Sequence, residues 1–289
     1  MFGNGRMKAV QPGLPIGIFD SGVGGLTVAS AIREWLPHES MIYFGDTARC
    51  PYGDKTPEEV RGFSVQICDF LVEQGIKMLV VACNTATAVA LPLLRQRYSV
   101  PVVGVIEPGA SAAANATTLG RVGVIGTLVT IHSGAYERAV KRLRPDVEVY
   151  SLACPKFVPL VEKGETTGPL VETLVKETLQ PLLDQQLDAL VLGCTHYPLL
   201  QDTIAKVVGP RVKLISSAEK TALEVGRVLK QQHLEASDPP PGNHVFYTTG
   251  DGHRMRAFLA GWLGIQEHEA DVRRVDWALM DGTGSQFEQ

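Results

Sequence analysis

Val80-Val81-Ala82-Cys83-Asn84-Thr85-Ala86 and Val191-Leu192-Gly193-Cys194-Thr195-His196-Tyr197 share one pattern: an apolar run that ends on a cysteine followed by small polar residues. A short continuous apolar run of this kind predicts a buried strand that opens onto a loop and then a helix. Strands buried on both faces belong to parallel sheets covered by helices. Ligands of open α/β sheets sit at the carboxyl ends of such strands. The two stretches therefore predict an α/β fold with a thiol at the ligand-binding end of each of two strands.

Working outward, strand-like runs recur at Ile16–Phe19, Met41–Phe44, Met78–Ala82, Val102–Ile106, Val122–Ile125, Val147–Ser151, Ala189–Leu192 and Lys213–Ile215. Helical patterns fill the intervals, and alternation of this kind implies parallel sheets. Thr56-Pro57-Glu58-Glu59 reads as a helix start, with Thr56 as cap, Pro57 in the first turn and Glu59 completing a capping box. Val60, Phe63, Ile67, Phe70 and Leu71 then share one face of that helix. A further strand is expected at His244–Thr248 and a helix at Arg254–Leu263.

The order of features repeats about halfway along the chain. Ile16–Phe19 followed by Asp20-Ser21 matches Val122–Ile125 followed by Gly126-Thr127, the Cys83 strand matches the Cys194 strand, and Val102–Ile106 matches Lys213–Ile215. This predicts two similar parallel-sheet α/β domains with the active site in the cleft between them. Residues 15–108 with 217–265 form the first, discontinuous domain and residues 109–216 the second. Residues 1–14 read as a loose leader, Ser237-Asp238-Pro239-Pro240-Pro241-Gly242 as a linker, and residues 266–289 as a frayed tail.

The 289 residues carry 27 Lys and Arg against 31 Asp and Glu, a formal net charge of −4 without long runs of either sign. That balance gives no sign of a nucleic-acid or membrane partner, and no stretch approaches the roughly 18 apolar residues of a membrane span. The cysteines, Cys50, Cys68, Cys83, Cys154 and Cys194, are odd in number and lack any Cys-x-x-Cys pair. A reducing cytosol suits them better than a disulfide framework.

Two thiols entering one cleft from opposite sides can take a proton from one face of a carbon and return one to the other. A helix N-terminus behind each cysteine predicts a thiol acidified below its usual value of about 8.5. His196, two residues past Cys194, can orient or ionise that thiol. Cys194 with His196 is also half of a zinc site, but no second ligand pair has suitable spacing, and nucleophilic Cys–His catalysis is a competitor that leaves Cys83 unused. Cys68 reads as core, while Cys50 lies in a polar loop that stays open as a cleft lining. Asp20-Ser21-Gly22-Val23-Gly24-Gly25-Leu26-Thr27 reads either as an anion-binding turn or as a tight turn with Asp20 as helix cap. It fits neither nucleotide fingerprint. Asn84, Thr85, Thr87, Thr127, Thr130 and Thr195 are short polar groups suited to a small zwitterion.

Phe19–Leu26, Tyr43–Gly53, Ala82–Ala86 and Gly193–Pro198, in this order, resemble the glutamate racemases of the aspartate/glutamate racemase superfamily, from about Pro15 to Gly264. The resemblance implies cofactor-independent interconversion of L- and D-glutamate, with neither pyridoxal phosphate nor metal, supplying D-glutamate for peptidoglycan. It also implies a cytoplasmic homodimer. By the same resemblance Cys83 looks like the base for D-glutamate and Cys194 the base for L-glutamate, assisted by Asp20 and His196. Ser21, Pro51, Tyr52, Gly53, Asn84, Thr85, Thr127, Thr130 and Thr195 resemble the family's substrate-binding positions, and Glu162 sits where relatives place another cleft carboxylate. Within the superfamily, aspartate is the competing substrate.

Overall fold

The computed structural model describes residues 10–236, 244–266 and 270–280. Its strands are β1 (Ile16–Asp20), β2 (Met41–Gly45), β3 (Met78–Val81), β4 (Val102–Gly104), β5 (Arg121–Gly126), β6 (Glu148–Ala153), β7 (Ala189–Gly193), β8 (Lys213–Ile215), β9 (Val245–Thr248) and β10 (Asp271–Arg274). Helices α1 (Leu26–Trp35), α2 (Pro57–Glu73), α3 (Asn84–Arg97) and α4 (Ile106–Ala116) follow β1 to β4. Then come α5 (Leu128–His132), α6 (Ala135–Leu143), α7 (Phe157–Glu162), α8 (Pro169–Leu183), α9 (Gln201–Val208), α10 (Ala218–Gln231), α11 (Gly252–Leu263) and α12 (Trp277–Met280).

The strands form two all-parallel sheets, one in the order β10-β9-β2-β1-β3-β4 and the other β6-β5-β7-β8. Four strands of each sheet have the same order, so β1 corresponds to β5, β3 to β7 and β4 to β8. This is the pairing that the sequence echo predicts. In each sheet one adjacent pair, β1 with β3 and β5 with β7, is where the strand order reverses. Connections leave such a point in opposite directions and open a crevice there.

Side chains alternate between two buried faces. Ile16, Ile18, Tyr43, Met78 and Val80 pack on one side of the first sheet, and Phe19, Phe44, Leu79 and Val81 on the other. The second sheet repeats this with Val122, Val124 and Val191 against α4 and α6, and Ile125, Leu190 and Leu192 toward α8 and its neighbours. At about 25 cal/mol per Å2 of apolar area, these four faces supply the main stabilising free energy. The expected capping box at α2 is present: Thr56 Oγ1 accepts from Glu59 N at 3.2 Å and Glu59 Oε2 accepts from Thr56 N at 2.8 Å.

Some expectations are corrected. The strand expected at Val102–Ile106 stops at Gly104, because Ile106 already begins α4. Asp271–Arg274, expected within a frayed tail, is the edge strand β10, and Trp277 stacks on Phe44 with ring centroids 5.3 Å apart. In the expected leader, residues 10–14 are held against the first domain: Val10 packs on its cores and the Pro12 carbonyl accepts from Lys77. Residues 1–9, the linker at 237–242 and residues 281–289 lie outside the described residues. Among the described residues no helix is long and apolar enough to cross a membrane.

Candidate active site

The carboxyl end of β1 delivers Asp20, fully buried, to the crevice. Its Oδ2 accepts from the backbone N–H of Gly22 at 3.0 Å and of Gly25 at 3.1 Å, and its Oδ1 from Thr195 Oγ1 of the other domain at 3.3 Å. Burial raises the Asp20 carboxyl above its ordinary range, against the pull of His196 and these hydrogen bonds. The glycine turn thus spends the N–H groups of Gly22 and Gly25 on Asp20, which closes a tight turn; Asp20 is not the helix cap, since the N-cap of α1 is Gly25 and carries no side-chain cap. The glycines also serve close approach. A Cβ on Gly24 would lie 2.6 Å from both His196 Nδ1 and Thr195 Oγ1, and one on Gly53 would lie 2.6 Å from Thr127 Cβ.

β3 ends at Val81, and Cys83 occupies the N-cap of α3, its Sγ accepting from Ala86 N at 3.5 Å. The expected acidification is overturned. Burial, with the nearby Asp20 carboxylate, pushes the Cys83 thiol up to about 12, outweighing the Ala86 N–H and the Ser21 side chain. A helix N-terminus offers partial charges, whereas removal of a full anion from water is the larger effect. Cys83 is therefore held as a protonated thiol.

β7 ends at Gly193 and delivers Cys194, Thr195 and His196. His196 Nδ1 lies 3.9 Å from Cys194 Sγ, and its Nε2 lies 2.7 Å from Glu162 Oε1 at the end of α7. Burial opposes protonation of His196, but its hydrogen bonds to Cys194 and Glu162 and the charges of Cys194 and Asp20 raise it to about 10. An imidazolium at neutral pH donates from both nitrogens, toward the sulfur and toward the carboxylate. Burial would raise the Glu162 carboxyl, yet His196 and Arg254 lower it overall. Arg254 on α11 binds Glu162 Oε2 at 2.7 Å and the Glu162 carbonyl at 2.6 Å.

Cys83, Cys194, Thr195 and His196 meet in one small cavity. Ser21, Pro51, Tyr52, Gly53, Cys83, Asn84, Thr85, Thr127, Cys194, Thr195 and His196 line it, and Val158 closes one wall. Its volume is about 10 Å3, room for about one water molecule. Thr130 stands just behind: the Thr85 hydroxyl is 2.9 Å from that of Thr127 and 3.3 Å from that of Thr130, which is 3.0 Å from Thr127. Asn84 Oδ1 accepts from Tyr136 at 2.6 Å, while its Nδ2 is buried without a partner. An unpaired buried amide donor costs about 1–3 kcal/mol, so it is a donor in want of an acceptor. Tyr52 contributes its ring, since its hydroxyl is engaged by Asp46 Oδ2 at 2.5 Å. Thr87 turns away to the Val81 carbonyl, at 2.9 Å. Cys68 is core, as expected, and Cys50 faces a neighbouring cavity. Tyr136, Val158 and Arg254 carry no signal in the sequence: each sits inside or beside an ordinary amphipathic helix.

Residues 24–225 match the family model described as Asp/Glu/Hydantoin racemase. The glutamate racemase of Exiguobacterium sibiricum is 51% identical over 260 residues, 90% of this chain and 95% of that protein. A solved glutamate racemase of Bacillus anthracis superposes with a TM-score of 0.87 at 45% identity, covering 91% of this chain and 98% of that one. The Francisella tularensis glutamate racemase, solved in complex with D-glutamate, gives 0.85 at 36% identity over 92% of this chain and 98% of that one. With its paired sheets and facing cysteines, the chain belongs to the Asp/Glu/Hydantoin racemase family and, within it, to the glutamate racemases, which are isomerases.

Proposed function

We propose that this protein interconverts L- and D-glutamate by proton transfer between two cysteines, without pyridoxal phosphate or a catalytic metal. The observation that carries the reading is that Cys83 and Cys194, from different sheets, line the same small buried cavity. Glutamate as substrate is supported by the glutamate racemases at about half identity and by the D-glutamate complex of the Francisella tularensis relative.

In the L-to-D direction Cys194, next to the His196 imidazolium, takes the Cα proton: the C–H bond breaks, an S–H bond forms and the electron pair passes into the substrate carboxylate. Cys83, held as a thiol, then delivers its proton to the opposite face. In reverse Cys83 is the base and Cys194 the donor. The doubly charged carboxylate that forms in between requires donors already in place, and Asn84 Nδ2 with the Thr85, Thr127 and Thr195 hydroxyls supports that role. Asp20 and His196 act as polar assistants on the two sides, Thr130 steadies the threonine pair, and Ser21 with Pro51-Tyr52-Gly53 walls the substrate.

Residues 15–108 with 217–265 and residues 109–216 are read as the two domains, with β10 adding residues 271–274 to the first and α4, which packs on the second sheet, carrying the second back to residue 106. The enzyme acts in the cytoplasm as a homodimer and supplies D-glutamate for peptidoglycan. The test is incubation of purified protein with each enantiomer in D2O, following optical rotation and α-deuterium. Wild type should racemise both, and Cys83→Ser and Cys194→Ser should each lose racemisation. Full activity in either variant would sink the two-base mechanism, and a marked preference for aspartate would replace the substrate.

A further inference from the structure

Spacing along the chain offers His196 no partners for a metal, but the fold brings it two. Cys50, in the loop after β2, and Glu162, at the end of α7, present a sulfur and a carboxylate oxygen that lie with a His196 ring nitrogen within 4.8 Å of one another. The nitrogen concerned is Nε2, which faces Glu162 at 2.7 Å, because Nδ1 faces Cys194. Thiolate, imidazole and carboxylate together form a donor set for a borderline-soft divalent ion such as Zn2+ or Co2+, not for Mg2+ or Ca2+. Zinc bonds of about 2.0–2.3 Å in a tetrahedron set ligand atoms roughly 3.5 Å apart. The imidazole and the carboxylate, 2.7 Å apart, need to part by somewhat less than one ångström to admit the ion, while the Cys50 sulfur, within 4.8 Å of both, draws in by up to roughly one ångström.

Three surrounding features suit such an ion. A cavity of about 130 Å3, lined by Thr47, Cys50, Glu162, Asp251 and Arg254, adjoins the cluster and leaves a fourth position for water. Arg254 holds the other Glu162 oxygen at 2.7 Å, so Oε1 is already oriented from behind. A thiolate and a carboxylate also balance the two positive charges, and a half-buried site tolerates a neutral set far better than a bare charge.

We propose that Cys50, Glu162 and His196 form an inhibitory site for a thiophilic divalent cation, distinct from the two catalytic thiols. Binding displaces the Cys50 thiol proton and any proton on His196 Nε2 into solvent. Coordination occupies the His196 nitrogen that pairs with Glu162, and it ties the β2 loop of one sheet to α7 and the β7 loop of the other. Both effects stop turnover: the Cys194 side loses its free imidazolium, and the cleft is clamped. The inhibition rests on the racemase reading, whereas the binding does not.

Metal-free wild-type protein is titrated with Co2+ and followed by its sulfur-to-cobalt charge-transfer absorption, then challenged with Zn2+. We expect one cobalt per chain, displaced by Zn2+, retained in Cys83→Ser and Cys194→Ser, and lost in Cys50→Ala. In racemisation assays Cys50→Ala should turn over like wild type while needing at least about tenfold more Zn2+ for half-inhibition, in line with the loss of a ligand. EDTA should restore the inhibited wild type. Circular dichroism checks the fold, and Cys50→Ser replaces Cys50→Ala if the latter is not folded. Absence of the cobalt band in wild type, or its survival in the Cys50 variant and loss in Cys83→Ser, would overturn the site. A protein that binds cobalt as expected but racemises nothing would instead overturn the function.

Discussion

A single methyl group tests how tightly the cleft is built. Gly24→Ala places a Cβ 2.6 Å from His196 Nδ1 and Thr195 Oγ1, so both side chains must retreat from Cys194 and Asp20. A displacement of about 1 Å at a reacting group costs on the order of a hundredfold in rate. We expect Gly24→Ala to keep its fold and lose one to two orders of magnitude in kcat/KM, which steady-state racemisation assays will show. At this scale the sequence is legible in part. Cys83, Cys194 and His196 stand at strand ends, where position alone announces chemistry. The work of Gly24 is invisible, because a glycine that admits a neighbour from another domain looks the same as one that makes a turn. Protonation is also hidden: proximity to a helix start suggests an acidic Cys83, while the depth of burial that reverses it exists only after folding.

Elements set the stability on which this site rests. Thr56 caps α2 through a complete capping box, and Thr56→Ala should lower the unfolding free energy by about 1 kcal/mol in urea titrations, with activity unchanged. Asp188, just before β7, fastens the turn that leads into β5, accepting from the Thr117 hydroxyl at 2.6 Å and from the N–H of Thr118 at 2.5 Å and Leu119 at 2.7 Å. Partial burial raises its carboxyl, but these bonds prevail and hold it at about 2. Its folded value lies below the unfolded one, so its contribution is present above about pH 4 and is lost as pH falls through about 2. Asp188→Asn should therefore be less stable than wild type at neutral pH, and the gap should close in acid, as read from denaturation midpoints at several pH values. The capping box is legible because its three signals are local. β10 is not: Asp-Val-Arg-Arg carries one apolar residue, and the strand is held by backbone bonding to β9 at a sheet edge, where charged side chains are usual.

Across the whole molecule, the matching of strands follows from the repeated order of apolar runs, whereas the closure of the cleft could not be foreseen. That closure depends on contacts between domains, such as Tyr136 with Asn84 and Arg254 with Glu162, made by residues far apart in sequence and placed on ordinary helices. A cavity with room for about one water must widen to admit an amino acid. Glutamate should then hold the widened molecule shut, and amide hydrogen exchange at Tyr52–Asp54 and in α7 should slow when either enantiomer is added. Unchanged exchange in both segments would count against a cleft that opens.

The unlike surroundings of the two sulfurs, a buried carboxylate near one and a charged imidazole beside the other, have a consequence in kinetics. Mirror-image substrates have equal free energies in water, so the Haldane relation sets kcat/KM equal in the two directions whatever the protein does. Asymmetry can therefore appear only in how each direction divides that ratio between turnover and saturation. Glu162→Gln should lower both kcat/KM values by the same factor while moving the two KM values apart.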